Sequence, residues 1–116
     1  CTLTAIDLNK GENLWQVPLG ENDKLLKLGV KNSGDFNRGG GIATAGGLIF
    51  IGTTGDKKLR AFDQSNGKVL WEYVLPGVAT SIPSTYSVKG KQYVTVAVSP
   101  DNGNKYKGGY VTFGLE

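Results

Sequence analysis

Histidine and methionine are missing from the sequence, and cysteine occurs once, as Cys1. Without histidine there is no Ser-His-Asp triad, no imidazole base and no imidazole metal ligand. Ser81, Ser84 and Thr85 therefore have no histidine to activate them. One cysteine allows neither an internal disulfide nor a Cys-x-x-Cys zinc cluster, and a lone thiol fits any redox compartment. Long apolar runs are also lacking. The longest, residues 47–52, is the size of a strand and far short of the roughly 18 residues that span a bilayer. No signal peptide is recognisable. The opening Cys1-Thr2-Leu3 reads as the middle of a strand, so the chain is expected to be a fragment. Charge of one sign is scarce too: 13 Lys and Arg against 10 Asp and Glu give a net charge of +3. The densest basic piece is Lys57, Lys58 and Arg60, which reads as a solvated face and not as an arm that neutralises phosphates. Nucleic acid is not an expected partner.

Glycine is what the sequence has in excess, 18 residues in 116, against a usual share of roughly 7%. Its placement follows an internal repeat. Leu3, Ala5, Asp7, Gly11, Leu14 and Trp15 recur as Leu59, Ala61, Asp63, Gly67, Leu70 and Trp71, 56 residues later. A partial third copy, residues 110–115, aligns with residues 59–64 at an offset of 51. A strand-rich period of this length signals propeller blades. Strands are expected at residues 3–8, 14–19, 48–52, 59–63, 69–74, 82–88 and 92–98. Asn-Gly turns join the repeated pairs, because tight hairpins demand positive φ. No segment has a convincing helical period; the best, residues 24–28, is too short and ends at Gly29. Residues 20–41 and 99–109 read as long polar loops, where function on β scaffolds tends to sit.

Each residue of the repeat has a structural reason. Trp is a flat anchor that packs between adjacent sheets and donates its ring N–H to a carbonyl. Ala leaves clearance for it, Asp caps backbone N–H groups before the turn, and Gly makes the turn. The twice-repeated Ala-x-Asp-x-x-x-Gly-x-x-x-Trp resembles the tryptophan-docking motif of the eight-bladed quinoprotein dehydrogenases. Residues 39–52 and 83–94 (the latter Pro-Ser-Thr-Tyr-Ser-Val-Lys-Gly-Lys-Gln-Tyr-Val) resemble the same family, nearest its glucose-dehydrogenase-like branch. The resemblance covers nearly the whole chain.

The resemblance implies an all-β fold of antiparallel four-stranded blades, with this chain forming about two blades of an eight-bladed β-propeller. Residues 1–19 are expected to be the second half of one blade and residues 20–40 a loop on the cofactor side. Residues 41–75 then form a complete blade, and residues 76–116 the first strands of the last. It also implies pyrroloquinoline quinone, bound Ca²⁺ and oxidation of a sugar or alcohol, with electrons leaving to a quinone or cytochrome acceptor. The implied setting is periplasmic, with any membrane attachment supplied by sequence outside this chain. The family's catalytic Asp and Ca²⁺ ligands sit upstream of this region, so no catalytic or metal residue is expected here. Some relatives carry Trp-Asn-Gly-Gly next to the quinone; here the matching stretch is Phe36-Asn37-Arg38-Gly39-Gly40, which departs from that pattern. The implied cofactor contacts are Asn37, Arg38, Gly39 and Gly40. Arg38 suits a carboxylate in bidentate fashion, Asn37 a quinone oxygen, and the glycines a close approach. Asp101-Asn102-Gly103-Asn104 lacks the ladder and terminal Glu of an EF-hand and reads as a solvated turn. Residues 39–47 lack the Gly-Lys-Ser/Thr of a phosphate loop. A non-enzymatic propeller scaffold of the outer-membrane assembly type is the alternative. So small a part of a ring leaves sheet faces open, so the remaining blades or a second copy are the expected partners.

Overall fold

The computed structural model describes residues 1–115. Three antiparallel sheets follow one another along the chain. The first pairs β1 (Thr2–Asp7) with β2 (Glu12–Pro18). The second orders β3 (Gly41–Ala43), β4 (Leu48–Gly52), β5 (Lys58–Asp63) and β6 (Val69–Val74) as a four-stranded meander. The third holds β7 (Ser84–Val88), β8 (Lys91–Val98) and β9 (Gly109–Leu115). The 51-residue offset thus maps the third strand of one sheet onto the third strand of the next.

The two inner strands of the central sheet, β4 and β5, are largely buried on both faces, which explains why β4 is apolar throughout. Ile51 and Phe62 pack with Leu19, Leu3 and Val17 of the first sheet. Phe50 and Ala61 pack with Val94 and Leu115 of the third. Leu59, Leu75 and Ala79 join Val96 and Val98 in a second cluster on that side. Successive residues of a strand face opposite ways, so one strand serves two interfaces.

The register, the Asp cap and the Gly turn of the repeat are reproduced in both sheets. Ala5 pairs with Trp15 and Ala61 with Trp71, and each β-strand pair shifts register immediately after its Ala. Asp7 accepts from the Asn9 amide at 2.9 Å, and Asp63 from the Ser65 amide at 2.8 Å. Gly11 and Gly67 close the two turns at φ 69° and 74°. Trp15 of the first sheet then reaches across to the turn of the second. Its Nε1 donates to the Gln64 carbonyl at 3.1 Å, and its ring lies over Gly67, where a Cβ would come within 2.6 Å.

Three local expectations are corrected. Residues 23–27 do form a helix, α1 (Asp23–Lys27), because Asn22 caps it through the Lys24 and Leu25 amides. Gly29, at φ 85°, follows its end. Gly41–Ala43 is a strand that its glycine and brevity concealed; its backbone is held by the register with β4. β7 begins at Ser84 and not at Ile82, since the buried Pro83 has no amide to give to a ladder. Among the described residues, no helix is long and apolar enough to cross a membrane.

Candidate functional site

The loop that carries Asn37, Arg38, Gly39 and Gly40 runs from α1 to β3. It is not a loose excursion. Asp35 donates its amide to the Leu19 carbonyl at 2.9 Å, and Asn22 and Asn32 are held by Ser33 and Glu21. Asn37 turns inward. Its Oδ1 accepts from the Gly39 amide at 3.2 Å while its Nδ2 donates to the Gly39 carbonyl at 3.1 Å. Thr54 Oγ1 donates to the same Oδ1 at 3.4 Å and accepts the Arg38 amide at 3.0 Å. Gly39 and Gly40 sit tightly against the chain itself. A Cβ on Gly39 would meet the Gly52 and Ser81 carbonyls at 3.3 Å, and one on Gly40 would meet Ile82 at 2.9 Å.

Arg38 is different. It is exposed, its guanidinium stacks 5.5 Å from the centre of the Phe36 ring, and it joins none of the ion pairs among the described residues. The fit to a polycarboxylated quinone is therefore uneven. Arg38 presents an uncommitted planar cation of the kind that grips carboxylates. The Asn37 amide oxygen is taken by Gly39 and Thr54 and its Nδ2 gives one hydrogen to the Gly39 carbonyl, while the two glycines pack closely against protein.

A second polar assembly, which sequence reasoning missed, lies directly beneath this loop. Arg60 is buried in β5 and pairs with Asp56 in the β4–β5 turn; their side chains are 7% and 5% exposed. Arg60 Nη1 also donates to Thr53 Oγ1 at 2.8 Å, and its Nε lies 3.3 Å from Glu72. Asp56 accepts further bonds from Thr53, the Lys58 amide and the Glu21 amide. Burial alone would push its carboxyl up. The Arg60 and Thr53 hydrogen bonds and the Arg60 charge outweigh burial, and its pKa ends below the ordinary 3.8. Glu72 is lowered as well, chiefly by its bond from Lys58. Lys57, next to Asp56, pairs with Asp101 across the next interface. Asp101 is thus engaged, not merely solvated, because its backbone bridge to Tyr106 folds the 99–109 segment back toward Lys57.

Two cavities accompany these features. One, of about 330 Å³, is apolar and lies between the second and third sheets against Trp71, Phe50 and Phe113. The other, of about 370 Å³, lies between the first and second sheets beside Arg60, Glu72 and Glu21. No cluster of three or more His, Cys, Asp or Glu able to hold a metal occurs among the described residues.

Residues 1–94 match the family described as "PQQ: Glucose/ethanol/alcohol dehydrogenase, beta-propeller domain". The chain belongs to this quinoprotein dehydrogenase family. The quinoprotein chain is 44% identical over 115 residues to the quinate/shikimate dehydrogenase (quinone) of Acinetobacter baylyi, covering 89% of the chain and 14% of that protein. It is 35% identical over 119 residues to the quinoprotein glucose dehydrogenase of Escherichia coli, covering 98% and 14%. The crystal structure of quinohemoprotein alcohol dehydrogenase from Comamonas testosteroni superposes with a TM-score of 0.74 at 28% identity, over 97% of the chain and 16% of that structure. The quinoprotein chain therefore spans about one-seventh of its curated relatives, and its sheets are blades, whole or partial, of a β-propeller.

Proposed function

We propose that this chain is a segment of a PQQ-dependent dehydrogenase that oxidises a hydroxyl of a sugar or alcohol in the periplasm. Electrons then leave to a quinone or cytochrome acceptor. The family match over residues 1–94 carries this reading. The relatives are named for quinate or shikimate, glucose and alcohol. All of these bear hydroxyl groups, so the substrate is stated at that level.

When bound, the quinone supplies a two-electron acceptor and Ca²⁺ a Lewis acid, the latter held by residues outside this chain. The residues present do three things. Arg38 binds a carboxylate of the cofactor with its free guanidinium. Asn37 orients the loop by closing on Gly39, so that Arg38 is presented in one place. Trp15 and the inter-sheet clusters fasten the blades to each other. The chain supplies binding and shape, and the proton-accepting base lies elsewhere in the protein.

The test uses the full-length protein that contains this sequence, freed of cofactor and reloaded with PQQ and Ca²⁺. Dye-linked oxidation of glucose, quinate or ethanol is expected to appear only after loading. No oxidation of any of the three overturns the dehydrogenase reading.

A further inference from the structure

The β4–β5 turn, residues 53–57, fastens loops that arrive from both neighbouring interfaces. Thr54 receives the Arg38 amide at 3.0 Å and bonds Asn37. Gly55 lies so close to Asp35 that a Cβ there would overlap the Asp35 carboxylate. Asp56 receives the Glu21 amide at 3.1 Å. The 20–40 loop is thus held at its start, near its end and at Arg38 itself by three consecutive residues. Lys57 reaches the other way, to Asp101 in the 99–109 segment. The turn is itself rigid, because Asp56 is locked to the buried Arg60 and to Thr53.

We propose that this turn is a positioning platform for Arg38, and that Thr54 and Asp56 are positioning residues that set the affinity of the loop for a polycarboxylate anion. The inference rests on the reading of Arg38 as the cation that grips the cofactor. The Arg38 side chain has no ion-pair partner of its own among the described residues and stacks on Phe36 of the same loop, so its place follows that of the loop backbone. The Arg38 amide is tied by one hydroxyl, that of Thr54, beside the Asn37–Gly39 closure. A preorganised cation binds an anion without spending affinity on ordering the loop, and a loosened one must spend it. Removing the Thr54 hydroxyl also leaves the Arg38 amide and Asn37 Oδ1 each one partner short.

The experiment titrates the cofactor-free, full-length protein with PQQ in the presence of Ca²⁺ and without substrate, following quenching of protein fluorescence. Amide hydrogen exchange across residues 36–40 is measured in parallel. Arg38→Ala is expected to weaken PQQ binding about tenfold, the worth of one charge-assisted hydrogen bond. Thr54→Val weakens it severalfold and speeds exchange of the Arg38 amide, and Thr54→Ser restores both. The double variant Arg38→Ala with Thr54→Val binds no more weakly than Arg38→Ala alone. If Arg38→Ala is impaired while Thr54→Val binds PQQ as the parent does, the platform is overturned. If Arg38→Ala binds normally, the cofactor role of Arg38 fails. Exchange then judges the platform by itself: unchanged exchange in Thr54→Val overturns it, and faster exchange rescued by Thr54→Ser retains it as a loop-positioning device.

Discussion

Gly67 and Gly11 stand at equivalent places in the repeat and share a left-handed backbone, at φ 74° and 69°, yet they have opposite surroundings. A Cβ at Gly67 would come within 2.6 and 2.8 Å of the Trp15 ring and 3.0 Å of Val17, whereas one at Gly11 would meet nothing within 4 Å. Alanine at either site pays the backbone term, about 1 kcal/mol for an L-residue in the left-handed region. At Gly67 it must also displace the indole. That loses the Nε1 bond to Gln64, about 1 kcal/mol, and part of the ring's packing, roughly another 1 kcal/mol. Gly67→Ala should therefore destabilise by about 3 kcal/mol and Gly11→Ala by about 1 kcal/mol. Urea unfolding followed by circular dichroism reads both values. In a Trp15→Ala background the gap should shrink to what the Val17 contact leaves, because the nearer clash partner is gone, and the double-mutant cycle isolates the docking term. Equal costs at the two glycines in the parent chain would refute the docking argument.

Further outcomes concern the polar base and the open end. Asp56→Asn uncouples a buried pair and should cost about 3 kcal/mol at pH 7, measured as a shift in urea midpoint. Because its folded pKa is held below the unfolded value, the Asp56 contribution is complete above about pH 4 and drains as pH falls through the folded value. The parent should thus lose stability more steeply than Asp56→Asn as pH falls below about 4; parallel curves would contradict this. Gly55→Ala should push Asp35 off the β4–β5 turn and so loosen the 20–40 loop, seen as faster amide exchange at residues 35–38. Trp71 is 38% exposed beside the apolar cavity, so the isolated chain should associate as concentration rises. Sedimentation velocity should show that association reduced in Trp71→Ser.

The repeat made the sheets legible, because its Ala, Asp, Gly and Trp each perform a local task that sequence spacing reveals. Asp63 caps its turn and Trp15 donates its ring N–H as those tasks require. The helix Asp23–Lys27 was hidden, since five residues with no buried side chain carry no periodic signal and depend on the Asn22 cap. Strand β3 was hidden for a related reason: Gly41 has little strand preference, and its neighbour β4 imposes the conformation. In the loop, residue type pointed to Asn37 and Arg38 together, but only coordinates separate them. An amide that bonds its own backbone two residues on looks the same in sequence as one that faces a ligand. The Asp56–Arg60 pair escaped for want of a rule: four residues apart across a turn into a strand is not a spacing that predicts contact, and the basic cluster around it read as surface. Burial of Arg60 is what turns that cluster into a base for the loop.

The seating of Trp15 on Gly67 gives the contact between sheets a direction. The two sides of the joint are different surfaces, a projecting ring and a receiving turn, so the interface is heterologous. Repetition of such a joint either returns to its origin and closes a ring or continues without limit as a spiral. Each seating therefore fixes an angle as well as an energy, and small errors of angle add from sheet to sheet. In this chain the turn at Gly11 has no ring seated on it among the described residues, while Trp71 lies edge-on to Phe113 of the next sheet and stays 38% exposed. A substitution that tilts one indole would be felt at the far side of the circle, where the last sheet has to meet the first.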